Sequence, residues 1–389
     1  MMLNERREYP LVIVGGGIGG LTAAIALERV GLPYLVLERA PGLREVGAGV
    51  GLWDNALRVL DHLRVGDDVR AISMPLAVAE VASSSGEVLA HSVIAEAVGS
   101  PDAVNSVVHR AELLAVLASH IPPERIRTGA ACVDLRPRHD GVELLLHGAP
   151  PIMAGAVVGA DGLHSVVRKR LLGDEVPRYS GQTCYRGIAD FEVSEPSMIR
   201  EVQGPGQRAA ICPLSPTRAY WWAAINAPRA EKDDPDGRRE ALLALYADWP
   251  FGLPECIAAT EGPILRNDLV DRPFSNVWGV GPITLLGDAA HPMLPNLGQG
   301  ACSAIEDALV LARSIDTHGL GARAFRAYER ERLPRTKTLV TESWRFGIPV
   351  VWTNQTAVWF RETLIRNTPP KVLADQIRRH TVYDVGGLR

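Results

Sequence analysis

The apolar run Leu11-Val12-Ile13-Val14 breaks into Gly15-Gly16-Gly17-Ile18-Gly19-Gly20, and a second run, Tyr34-Leu35-Val36-Leu37, stops at Glu38-Arg39. Between them Leu21 to Val30 is almost entirely apolar and halts at Gly31, so the pattern predicts strand, glycine turn, helix and strand. Gly47-Ala48-Gly49-Val50-Gly51-Leu52 follows, with a helix over Asn55 to Leu63. Residues 71 to 105 alternate short apolar runs with turn residues, as strands do. Arg110 to Ser119 reads as a helix with Leu113, Leu114, Val116 and Leu117 on its apolar stripe. Ile126 to Leu146 reads as a strand, the turn His139-Asp140-Gly141 and a second strand; Ala156 to Gly162 is a buried strand ending in an acid. A strand-rich block from 176 to 275 holds Arg208 to Leu214 and Ala219 to Ile225. Ile283 to Leu286 is another buried strand, leading through Gly287-Asp288 to a helix that carries Glu306-Asp307-Ala308.

Strands alternating with helices predict an α/β fold with a Rossmann-like domain, and two inserted runs of strands predict a mixed β-sheet domain threaded through it. The expected division is 1–70, 106–175 and 276–345 for the first, 71–105 and 176–275 for the second, and a C-terminal helical segment over 346–389. The first turn has a specific chemistry. Gly15 permits the tight turn, Gly17 lets the backbone approach a pyrophosphate, and Gly20 lets the helix lie close to the strand. The helix N-terminus faces the diphosphate, and Glu38, followed by Arg39, ends the next strand where a carboxylate accepts ribose hydroxyls. An adenine dinucleotide is the ligand implied, NAD or FAD.

Composition narrows the partners. Of 389 residues 47% are hydrophobic, and a net charge of −4 gives no reason to expect nucleic acid. The five cysteines, Cys132, Cys184, Cys212, Cys256 and Cys302, are scattered without a C-x-x-C pair, which points to reduced thiols, a cytoplasmic location and no metal site. Residues 1–10 are polar and the first apolar run is cut by glycines, so neither a signal peptide nor a membrane span is expected.

Two further motifs separate the cofactors. Val158-Gly159-Ala160-Asp161-Gly162, leading into a helix with Arg168, and Leu286-Gly287-Asp288-Ala289-Ala290-His291-Pro292, followed by Pro295-Asn296-Leu297-Gly298-Gln299-Gly300-Ala301, join the glycine fingerprint in order. Together they resemble the class A FAD monooxygenases, the aromatic hydroxylases of the p-hydroxybenzoate and salicylate hydroxylase type, with features of quinolone- and urate-hydroxylase-like members. The resemblance runs from about residue 10 to 345.

It implies bound FAD, with NAD(P)H as a transient reductant and a flavin hydroperoxide delivering oxygen from O2 to an aromatic or heteroaromatic ring. It implies that Asp288 accepts a ribityl hydroxyl and that Gly298, Gly300 and Ala301 bring helix amides to the flavin. Arg110 reaches the diphosphate and ribityl region, and Asp161 ties the pyrophosphate to NAD(P)H. The plain alternative for Asp161 and Asp288 is a helix cap, and for Arg110 a surface ion pair. His291 is a catalytic candidate that the family uses chiefly for structure. No second G-x-G-x-x-G follows a strand, so no separate nicotinamide domain is expected.

The block from 176 to 275 holds the remaining candidates, Arg208 and Tyr220, which resemble a polar pair near the substrate of urate-hydroxylase-like members. Those members carry Asp where this chain has Asn296. Tyr185 and Arg186 must point to opposite faces of a strand, as must Trp221 and Trp222; a solvated Arg186 beside a packed Tyr185, and core packing for the tryptophans, are the expectations. Ile211, Cys212, Pro213, Leu214, Tyr220 and Trp222 favour a hydrophobic aromatic substrate over a small benzoate. The tail, with Trp352, Trp359 and Phe360, is expected to pack on the FAD domain or a partner subunit in preference to a membrane, in a monomer or homodimer. The competing readings are an epoxidase or reductase of a prenyl or polyketide substrate, a halogenase, whose W-x-W-x-I-P segment is missing here, and a non-catalytic flavin-binding protein.

Overall fold

In the computed structural model, which describes residues 9–43, 48–100 and 105–388, Val12 lies between Leu35 and Val157 on two parallel neighbours. Tyr9–Val14 is therefore a central strand, buried on both faces, which is why it reads as an unbroken apolar run. The sheet order is Ile126–Arg127, Tyr34–Leu37, Tyr9–Val14, Ala149–Gly159, Gly141–Leu146, Cys132–Arg138. Ile283–Leu285 pairs in parallel with the last residues of Ala149–Gly159, where the antiparallel hairpin has let go. Helix Ile18–Arg29 packs along helix Gly300–His318. Gly47 of the early glycine-rich run lies outside the described residues.

Two elements differ from the sequence reading. The strand expected from Ile126 is two residues long, because Gly129 turns the chain at φ +65° before the hairpin begins at Cys132. The buried strand expected at Ala156 starts earlier, at Ala149, since its first half pairs with the hairpin.

A second, mixed sheet runs Thr260–Asp271, Arg178–Asp190, Arg218–Asn226, Gln207–Ser215, Met198–Gly204, Val78–Ser83, Val88–Val93, antiparallel except between Met198–Gly204 and Val78–Ser83. Its alternation sorts side chains onto two faces. Tyr185, Ala209, Trp221 and Ala223 pack on one face against Leu242, Tyr246, Leu253 and Ile257. Ala210, Cys212 and Tyr220 pack on the other against Ala48, Leu76 and Val107. A three-stranded sheet, Gly49–Leu52, Asn105–His109 and Ser73–Leu76, packs against strand Gln207–Ser215 of the second sheet and helix Gly300–His318.

The long helix Ala322–Val350 runs straight through residue 345, where the sequence division places a boundary. Pro334 and Pro349 both lie inside it, each removing one ladder donor, and Pro349 falls in its last turn. Ser343 from this helix donates to the Leu294 carbonyl at 2.5 Å, tying it to the loop after Asp288. Helices Gln355–Arg366 and Pro370–Thr381 complete the tail, with Trp359, Phe360 and Leu364 exposed.

Candidate active site

Gly15 adopts φ +112°, and a Cβ there would lie 2.3 Å from the Ala160 carbonyl oxygen; a Cβ on Gly20 would lie 1.9 Å from the Gly15 oxygen. Both are sterically obligatory. Gly17 has nothing within 4 Å of a Cβ position, so the turn opens on a hollow. Gly17 is also the N-cap of helix Ile18–Arg29, whose first turn has neither a side-chain cap nor an acidic residue, leaving its amides and dipole facing that hollow. Glu38 Oε2 accepts from the Gly16 amide and Oε1 from the Ala40 amide, both at 2.7 Å. These bonds hold the half-buried carboxylate beside the turn, and Arg39 is exposed next to it.

A second helix end is arranged alike. Helix Gly300–His318 starts at Gln299 with no side-chain cap and no acid in its first turn, and Ala301 is half-buried there. Gly298 turns the chain at φ +63° close to the Trp53 ring, where a Cβ would lie 2.7 Å from the indole nitrogen. A Cβ on Gly300 would lie 3.9 Å from Asp288 Oδ1, so acid and helix end border one opening. Asp288 is exposed to this opening; desolvation by the surrounding protein raises its pKa, while His291 and Arg110 pull it down. Two uncapped helix ends and two carboxylates with free acceptor capacity are a fitting donor and acceptor set for a dinucleotide with a polar ribityl chain.

Arg110 begins helix Arg110–Ser119, its amide bonded to the Ala48 carbonyl at 2.9 Å. Its charge acts on both Asp288 and Tyr220, which places it between the two halves of the site. Asp161 is turned inward. Its Oδ2 accepts from the Val166 and Val167 amides at 2.7 and 3.3 Å and its Oδ1 from Ser165 Oγ at 2.5 Å, the capping geometry that the sequence left as the alternative. Arg168 on that helix reaches the carbonyls of Ala289 and Ala290 at 3.2 and 2.9 Å, so the cap positions the loop that carries Asp288.

His291 stands apart from the opening. It is 1% exposed, its ring lies 5.2 Å from that of Trp278, and its Nε2 is 2.6 Å from Asp307 Oδ2. Asp307 also binds Arg332 Nε at 2.7 Å, and Arg332 reaches Glu306 at 2.5 Å. The geometry sets His291, the catalytic candidate that the resemblance gives a chiefly structural use, inside a buried network away from the opening.

The facing wall is the side of the second sheet turned towards Ala48 and Leu294. Strand register arranges it in rows: Cys184, Ala224 and Arg208; then Arg186, Trp222 and Ala210; then Ile188, Tyr220 and Cys212. Arg208 and Tyr220 thus share a face but sit two rows apart. Arg208, 5% exposed, donates to Asn296 and lies 3.8 Å from Glu201. Burial raises the Tyr220 phenol pKa well above its ordinary value, with Arg186 and Arg110 opposing, so the phenol is protonated at neutral pH.

Two expectations change here. Arg186 lies half-buried on this wall and not on an open solvent face, whereas Tyr185 is packed on the reverse face as expected. Ile211 also packs on the reverse face, and of the two tryptophans Trp221 is the core residue, its Nε1 donating to Thr260 Oγ1 at 2.7 Å. Apolar residues at both Cys184 and Tyr185 left the facing of the strand undetermined in the sequence. A cavity of about 290 Å³ among Phe191, Ile211, Phe251 and Leu253 also lies on the reverse side, remote from the glycine turns.

Among the described residues no cluster suits a metal ion, and no helix is long and apolar enough to cross a membrane. The FAD binding domain family matches residues 8–343. Aurachin C monooxygenase/isomerase of Stigmatella aurantiaca is 37% identical over 92% of this chain and 93% of its own. The 2-heptyl-3-hydroxy-4(1H)-quinolone synthase of Pseudomonas aeruginosa is 32% identical over 92% of this chain and 94% of its own. The structure of Klebsiella pneumoniae HpxO complexed with FAD and uric acid superposes with a TM-score of 0.88 at 26% identity, over 97% of each chain. With two open helix ends, the Asp288 opening and these relatives in agreement, the chain belongs to the FAD binding domain family, among the FAD-dependent aromatic monooxygenases.

Proposed function

We propose that this enzyme hydroxylates an electron-rich heteroaromatic ring of the quinolone type, with NAD(P)H as reductant and O2 as oxidant. The observation that carries the reading is the wall of Arg186, Trp222 and Tyr220, with Arg110 between Tyr220 and the Asp288 opening. A flat ring between that wall and the opening meets an aromatic face, hydrogen-bond donors and little water. The name of the Pseudomonas relative, a 3-hydroxyquinolone synthase, supports this substrate class, and the urate in the HpxO complex supports a fused, oxygen-bearing ring more generally.

The residues divide the work. Gly17 and the first helix end take the diphosphate, Glu38 the ribose, Asp288 and Arg110 the ribityl chain, and the amides at Gly300 and Ala301 the flavin edge. When bound, FAD would supply the redox chemistry that couples NAD(P)H and O2 to insertion of one oxygen atom into the ring, the other oxygen leaving as water. Tyr220, protonated, donates a hydrogen bond to a ring substituent, Trp222 stacks, and Arg208, held by Asn296 and Glu201, closes one end of the wall. His291 and Asp161 hold the frame. On this reading residues 1–70, 106–175 and 276–345 serve FAD, 71–105 and 176–275 serve the substrate, 346–389 packs as a cover, and the enzyme works in the cytoplasm as a monomer or homodimer.

Anaerobic stopped-flow reduction of the purified flavoprotein by NADH and by NADPH tests this, with quinolones, salicylates, hydroxybenzoates and urate added in turn. The expected result is reduction accelerated many-fold by a quinolone, with hydroxylated product on admission of air. Acceleration by none of the panel, with FAD bound, would overturn the assignment in favour of a reductase or a non-catalytic flavoprotein.

A further inference from the structure

Three arginines approach the site, and two have a partner that accounts for them. Arg208 has Asn296 and Glu201, and the charge of Arg110 reaches Asp288. Arg186 differs. It lies half-buried on the wall, paired with Trp222 and in the row next to Tyr220, and the groups whose charge acts on it are the Cys184 thiol and the Tyr220 phenol. Among the described residues no carboxylate contributes to its surroundings.

A guanidinium withdrawn from water without a counter-ion is costly, and the cost falls when an anionic or strongly polar oxygen arrives. Its flat fork also suits an oxygen in the plane of a ring stacked on Trp222. The neutral Tyr220 phenol, diagonal to Arg186 across the strand pair, supplies a second donor but no negative charge. A negative or strongly polar oxygen on a molecule taken up by the cavity supplies the missing charge.

We propose that Arg186 is the substrate-recognition residue, donating to an ionised or enolised ring oxygen, so that the substrates of this enzyme carry an acidic hydroxyl or an enolisable carbonyl on the ring. The assignment rests on the aromatic-hydroxylase reading above. It has a chemical consequence: a fixed positive charge beside the oxygen lowers the oxygen's pKa, raises the anionic fraction at neutral pH and so enriches the ring carbon next to it. A hydrophobic side chain on the substrate is compatible with the apolar rows around Cys212 and Ile188, but a pure hydrocarbon such as a carotenoid leaves Arg186 uncompensated.

The test uses the FAD-loaded protein and two probes of nearly equal shape, 4-hydroxyquinoline and 4-methoxyquinoline, with affinity read from perturbation of the flavin absorption and no turnover required. Wild type is expected to bind the hydroxy compound at least tenfold more tightly. Arg186→Gln is expected to lose about tenfold or more for the hydroxy compound and less than twofold for the methoxy one, as the loss of one charge-assisted hydrogen bond dictates. Arg186→Lys should restore part of the preference. An unchanged hydroxy-to-methoxy ratio in Arg186→Gln overturns the proposal, as does loss of FAD from that variant, which would place Arg186 against the cofactor, or failure of wild type to bind either probe. A wild type that shows the ratio but never hydroxylates leaves Arg186 assigned and defeats the hydroxylase reading; a hydroxylase indifferent to Arg186→Gln does the reverse.

Discussion

Asp307 divides its carboxylate between two side chains, with Oδ2 2.6 Å from His291 Nε2 and Oδ1 2.7 Å from Arg332 Nε. All three side chains are sealed from solvent, and Oδ2 also accepts the Gly287 amide at 3.0 Å. The loop that carries Asp288 is thereby fixed to two helices by a charge network and not by packing alone.

Burial pushes the Asp307 carboxyl up, but His291 and Arg332 outweigh it and hold the group at about 2. Its folded pKa is depressed below the ordinary carboxylate value, so the stabilisation is present above roughly pH 4 and is lost as pH falls towards 2. Asp307→Asn should cost about 3–5 kcal/mol at neutral pH, since it strands buried charge, and should flatten the acid limb of the stability profile. Urea unfolding from pH 7 down to 3 measures both. A variant within about 1 kcal/mol of wild type, a surface-like effect, would show that the network does not hold the loop.

The two glycines of the first turn separate folding from binding. Gly20→Ala puts a methyl 1.9 Å from the Gly15 carbonyl, which only backbone movement relieves, so it should fold poorly or not at all. Gly17→Ala meets nothing within 4 Å and sits at φ −78°, which any residue adopts. It should leave the apoprotein's thermal midpoint within about 1 °C, roughly the shift that 1 kcal/mol produces in a chain of this length, while weakening FAD by tenfold or more, because its methyl enters the space of the diphosphate. Equal FAD affinity in Gly17→Ala and wild type would remove the diphosphate from that hollow.

How far the sequence reveals such features depends on how local their cause is. The glycine turn, the buried strands and the Glu38 terminus are legible because each depends on neighbours a few residues away. The network around His291 is not, because Asp307, Arg332 and Glu306 meet only after helices Gly300–His318 and Ala322–Val350 have packed. Arg186 was obscured differently: period-two alternation says that Tyr185 and Arg186 oppose each other, but which one faces the cofactor half is settled only when Leu242 and Tyr246 cover the Tyr185 side. Asp161 was legible as a strand-end acid, and only its hydrogen bonds show that the carboxylate is spent on a helix end.

Tyr220 is expected to act as a donor and not as a base. Its ring packs against Gly49, where a Cβ would lie 2.3 Å from the ring, and burial keeps the phenol protonated. Tyr220→Phe should therefore keep the fold and FAD while lowering hydroxylation by about 10²-fold, the lower end for a positioned proton-transfer or donor group, with hydrogen peroxide rising as NAD(P)H oxidation uncouples. Product and peroxide measured together decide it; full coupling in the variant would take Tyr220 out of the reaction.

Asp288 offers the sharpest opposition of stability and function. Desolvation raises its carboxyl pKa, and the opposing charges of His291 and Arg110 do not cancel the rise. A folded pKa above the unfolded one means that the apoprotein is most stable where the group is protonated and loses stability as pH rises through the folded pKa, so at neutral pH the ionised carboxylate is a burden. Asp288→Asn removes that burden and replaces the charge-assisted acceptor of a ribityl hydroxyl with a weaker, neutral one. The variant should unfold at higher urea than wild type when both are free of FAD at pH 7, the difference shrinking as pH is lowered into the carboxyl range, and it should bind FAD more weakly. With saturating FAD the order reverses, because ligand-linked stabilisation scales with affinity. An apo variant less stable than wild type at pH 7 would mean that Asp288 is a structural acid, and the ribityl contact would have to be sought at Arg110.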